Sequence, residues 1–91
     1  LTVILNWRTP EMTLQALAAA RVAMQGIPGA ITIVDNDSGD GSEERLRAAT
    51  AGMADVRVIQ SGRNGGFGAG NNAGIRAGLP DGSRPEFVYI L

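Results

Sequence analysis

Four short apolar runs punctuate the chain: LTVIL at residues 1–5, AITIVD at 30–35, VRVIQ at 56–60 and EFVYIL at 86–91. Each is brief and mostly rich in β-branched residues, as buried strands are. The segments between them are long enough for helices. Thr9, Pro10 and Glu11 form a helix start, with a capping hydroxyl, a proline suited to the first position and an acid at the positive end of the helix dipole. That helix is expected to run to about Gln25, with Leu14, Leu17, Ala18 and Val22 inward, and Gly26 and Pro28 to end it. Asp40 and Glu43 resemble a capping box opening a second helix, lined by Leu46, Ala49 and Met53. A third is expected from about Ala69, carrying Ala73, Ile75 and Ala77. Strands alternating with helices build βαβ units with right-handed crossovers. The predicted fold is therefore α/β: a Rossmann-like open parallel sheet, strand order 3-2-1-4, helices on both faces.

Composition narrows the chemistry. Ninety-one residues make one small domain at most, and an apolar share of 44% is that of a globular chain. The net charge of -1 gives no reason to expect nucleic acid or an acidic membrane surface as partner. Cysteine, histidine and lysine are absent. Thiolate–metal sites, Cys/His nucleophile pairs, a histidine base, a Walker-A lysine and a Schiff-base lysine are thus excluded within this sequence. No run reaches the roughly 18 apolar residues of a membrane span. Both ends fall inside strand-like runs, so the sequence is expected to be a piece of a longer protein, cut at both ends.

Asn6, Asp35 and the segment SGRNGGFGAGNNAGIRAG at 61–78 all follow strand C-termini, the edge where open α/β sheets bind ligands. Asp35 closes an apolar strand. A carboxylate there only accepts hydrogen bonds. It would suit the imide N–H of uracil or thymine, or the N–H edge of guanine, and would repel the acceptor nitrogen of cytosine. The plainer reading is a turn or capping aspartate, as for Asp37 and Asp40. Trp7 is either a rim aromatic or a wall on which a nucleobase stacks. Gly68, Gly70 and Ala73 fit G-x-G-x-x-[GA], but that dinucleotide fingerprint belongs directly after a first strand. A tight helix entry alone accounts for the glycines equally well. Asn64, Asn71 and Asn72 beside them suit hydrogen bonding to a polar ligand.

Taken together, VILNWRTPEMTL, ITIVDNDSGDGS and RNGGFGAGNNAGI, in this order and spacing, resemble the start of an inverting family-2-type glycosyltransferase of GT-A fold, nearest the bacterial rhamnosyltransferase-like branch. The resemblance covers nearly the whole chain. It implies that residues 1–91 form the N-terminal nucleotide-sugar-binding part of one GT-A domain, serving a UDP- or dTDP-sugar. It implies that Asn6, Trp7 and Asp35 hold the base, and that Asn64, Gly65, Asn71 and Asn72 shape the nucleotide pocket. It also implies a divalent metal, Mg or Mn, with its ligands and the catalytic base beyond Leu91. The acceptor would be a glycan or lipid-linked hydroxyl in cell-surface polysaccharide synthesis, in the cytoplasm or at the inner face of the membrane. Arg8 stands where such enzymes often have asparagine. Asn71 stands where many have arginine, a departure the rhamnosyltransferase-like branch shares. A nucleotidyltransferase or dinucleotide enzyme on the same architecture, or a non-catalytic binding domain, are the alternatives.

Overall fold

A computed structural model describes residues 1–26, 29–62, 67–78 and 89–90, the side chains of 67–69 and 89–90 excepted. Three five-residue strands, β1 (Thr2–Asn6), β2 (Ile31–Asp35) and β3 (Val56–Gln60), pair in parallel. Two further residues, Tyr89–Ile90 (β4), pair in parallel with Thr2 and Val3 on the other side of β1, so the strands lie in the order β3-β2-β1-β4. The helices are α1 (Pro10–Ala23), α2 (Ser42–Thr50) and α3 (Phe67–Ala77).

Alternation along the strands sorts side chains to two faces. Ile4, Ile31, Ile33, Val56 and Val58 meet Leu17 and Ala20 of α1 and Leu46 of α2. Val3 and Val34 face the other way with Leu1, and Leu5, Ile59 and Ile75 of α3 pack against them. β2 is buried throughout, as a strand covered on both faces must be. The chain steps from β1 to β3 beneath α1 and α2, then returns to β4 by way of α3. Reversing direction requires changing face if both crossovers are right-handed.

The helix details depart from expectation in instructive ways. Thr9 occupies the N-cap of α1, but its side chain makes no capping bond. The buried stripe is Thr13, Leu17 and Ala20, while Ala18 and Val22 face solvent. An alanine-rich helix has no sharp apolar face, and the bond from Thr13 to Asn6 helps decide which side turns in. Asp40 is not part of a capping box. Gly41, at φ 88, takes the cap position, so Asp40 accepts instead from the amide and hydroxyl of Ser42. Glu43 turns to Gln60 and Arg47.

α3 begins at Phe67, two residues before its expected start. Gly68, Gly70 and Ala73 therefore lie within the helix, and no dinucleotide turn is formed by them. A Cβ on Gly70 would fall 2.3 Å from Leu5 Cδ1, and one on Gly74 would fall 2.7 Å from Val3 Cγ1 and 3.0 Å from Val34 Cγ2. These two glycines, one turn apart, let the α3 backbone settle directly onto β1 and β2. Both serve helix–sheet approach.

Candidate functional site

The register sets Asn6, Asp35 and Gln60 in one row across the C-terminal ends of β1, β2 and β3. Asn6 and Asp35 are buried and Gln60 is exposed. The Asp35 carboxylate is the hub of this row. Its Oδ1 accepts from Asn6 Nδ2 at 2.8 Å and from Ser38 Oγ at 2.7 Å. Its Oδ2 accepts from the Ser38 amide at 3.2 Å and from Gln60 Nε2 at 2.8 Å. Four donors fill the lone-pair sites of an ionised carboxylate. Burial alone, the largest single influence, would raise its pKa. Hydrogen bonds from Ser38, Asn6 and Gln60 outweigh it together and hold the group below the ordinary carboxylate value.

Each donor is itself held. Asn6 Oδ1 accepts from Thr13 Oγ1 at 2.7 Å, which ties the end of β1 to the first turns of α1. Gln60 Oε1 accepts from the amides of Asp37 and Gly62, and its Nε2 also reaches Glu43 Oε1. One exposed amide thereby clasps the turns after β2 and β3 and the start of α2. Any ligand donor approaching Asp35 must displace one of the four, and Gln60 alone of them is exposed. Beside it lies an open depression of about 500 Å³, bounded by Asp35, Asp37, Gly39, Gly41, Glu43, Glu44 and Gln60. A larger groove of about 690 Å³ opens at the C-terminal ends of α1 and α2, where β2 and β3 begin. It lies away from the polar row.

Trp7 follows β1 and is 45% exposed. The Arg8 guanidinium lies over its ring, 4.9 Å from the centroid. Asn71 is buried on α3, and its Oδ1 has no hydrogen-bond partner among the described residues. Asn72 is exposed on the same helix. Asn64 and Gly65 lie outside the described residues. Thus Asn6 and Asp35 are brought into direct contact, Trp7 sits just beyond them, and Asn71 and Asn72 stand on the helix that packs over β1 and β2. Sequence reasoning missed Thr13, Ser38 and Gln60. Equal strand lengths would have pointed to Gln60, because they set the last residues of β2 and β3 side by side. Among the described residues no three acidic, histidine or cysteine side chains converge to hold a metal ion.

These features define an α/β protein whose polar site lies at the strand C-termini, beside the point where the strand order reverses between β1 and β4. Residues 9–89 match the model of glycosyl transferase family 2. The chain belongs to that family, and its activity class is glycosyl transfer from a nucleotide-sugar donor to an acceptor. No curated protein and no solved structure matches it. No helix among the described residues is long and apolar enough to cross a membrane.

Proposed function

We propose that this chain is the donor-nucleotide-binding part of a GT-A glycosyltransferase of the rhamnosyltransferase-like branch. The donor is a UDP- or dTDP-hexose and the acceptor a glycan or lipid-linked hydroxyl of bacterial cell-surface polysaccharide, on the cytoplasmic side of the membrane. The observation that carries this reading is the row Asn6–Asp35–Gln60 at the ligand edge of a family-2 sheet. Asp35 is the acceptor for the base imide N–H, which takes the place of the Gln60 amide on Oδ2. Trp7 walls the base. Asn71, with its unanswered buried oxygen, and Asn72, with Asn64 and Gly65, line the nucleotide. A divalent metal held by residues outside those described would neutralise the departing diphosphate.

The test uses the full-length protein and titration calorimetry with magnesium present. UDP and dTDP should bind, and N3-methyl-UDP, which lacks the imide proton, should bind about tenfold more weakly. Equal affinity for UDP and N3-methyl-UDP would remove Asp35 from base recognition. Absence of UDP and dTDP binding altogether would remove the donor assignment.

A further inference from the structure

Arg8 is held in place by three separate contacts. Its backbone adopts φ 58, a left-handed conformation rarely taken by a residue with a side chain. Its amide donates to Ser38 Oγ at 2.9 Å, and its Nε donates to the Ser38 carbonyl at 3.0 Å. Its guanidinium rests on the Trp7 ring. Ser38 is in turn fixed by Asp35 through both its amide and its hydroxyl. The buried hub thus orients an exposed cation two residues beyond Asn6.

The remaining donors of that cation are unspent. The bonds made by Arg8 use its backbone amide and Nε, which leaves both terminal guanidinium nitrogens without a partner among the described residues. Other arginines are committed elsewhere: Arg21 to Asp55, Arg45 to Glu11 and Arg47 to Glu43. Arg57 bonds Thr32 and the Gly78 carbonyl, and Arg76 lies in the last turn of α3, away from the strand C-termini. Asp40 feels the Arg8 charge but makes no ion pair with it, its Oδ1 accepting from the amide and hydroxyl of Ser42. Asp35 is saturated, and Glu43 already holds Gln60 and Arg47. Among the described residues, Arg8 is the one arginine at the ligand edge that makes no ion pair with a carboxylate. A guanidinium with its orientation fixed and its two terminal nitrogens open is suited to bidentate contact with phosphate oxygens.

We infer that Arg8 binds the diphosphate of the nucleotide donor, using the terminal guanidinium nitrogens left open by its Nε bond to Ser38 and its seat on Trp7. The inference rests on the donor assignment above and adds a phosphate contact to it. It makes Ser38 a positioning residue that acts through Arg8.

The experiment compares uridine and UDP as calorimetric ligands of the full-length protein, at fixed ionic strength and fixed magnesium. In the wild type, UDP should bind more tightly than uridine. Arg8→Gln should weaken UDP about tenfold and change uridine less than about twofold, because only a phosphate contact is removed. Arg8→Lys should recover part of the UDP affinity, since it restores the charge without the fork. Uridine binding also reports that each variant is folded. Equal losses for uridine and UDP would assign Arg8 to the base wall or the loop instead and overturn the inference. Unchanged UDP affinity in Arg8→Gln would overturn it as well. Failure of the wild type to bind UDP would strike the donor assignment rather than this contact.

Discussion

Asp35 remains charged under nearly complete burial because four donors replace the water it has lost. Its pKa is lower in the folded chain than the unfolded value of about 3.9, so the unfolded chain binds the proton more tightly. Its contribution to stability is therefore complete above that value and is lost as pH falls through the folded pKa. Thermal melts should be flat from about pH 7 to pH 5 and decline below about pH 4. Asp35→Asn should lower stability at neutral pH by about 1–3 kcal/mol, since an amide NH₂ then faces two chain donors. Its acid decline should be shallower, the remaining slope coming from Asp40 and Glu43, whose pKa values are also lowered. Parallel acid profiles for wild type and variant would show that Asp35 carries no such linkage. Asp35 and Asn6 were legible in the sequence because each closes an apolar run, and position in a run survives without coordinates. Ser38 and Thr13 were not, because a serine in a polar turn and a threonine on a helix gain their roles only when two strand ends and a helix start converge.

At the scale of elements, the glycine-rich segment divides by use. Gly70 and Gly74 face β1 and β2 at distances that leave no room for a methyl group. Gly74→Ala sets a Cβ against Val3 and Val34, both buried and stiff at χ1. Lifting α3 off the sheet should cost about 1–3 kcal/mol. Gly70→Ala meets the flexible end of Leu5 first and should cost less. Gly52→Ala, in open space after α2, should be neutral or add about 0.4–1 kcal/mol by restricting the unfolded chain. Denaturant melts of the three variants check this order, and a Gly74→Ala protein as stable as Gly52→Ala would refute the close seating. The sequence shows that glycines cluster here, but not whether they meet a ligand or a sheet. Which glycines meet the sheet depends on where the helix begins, and the start at Phe67 turns this pair onto it. Strand positions were legible for the opposite reason, since each apolar run is bounded by polar or turn residues. The face of α1 was not, because the alanines that fill much of its second half give no direction.

The whole molecule has two edges with different duties. The polar row occupies the strand C-termini, and the groove between the far ends of α1 and α2 is rimmed by the exposed Arg21–Asp55 pair. Such a pair contributes about 0–1 kcal/mol. Arg21→Ala should therefore leave UDP affinity unchanged and stability within about 1 kcal/mol of wild type. A loss of UDP binding in that variant, read by the same calorimetry, would place the ligand at the wrong edge. The seating of α3 links the two edges mechanically. Gly70 and Gly74 present a smooth track where packed helices usually present ridges, with Ile75 beside it. A helix held this way lies close against the sheet. Arg57 on β3 donates to the Gly78 carbonyl just past the last turn. The helix that carries Asn71 and Asn72 is thus moored to the sheet twice, by its glycines along its length and by an arginine of the outermost described strand at its end.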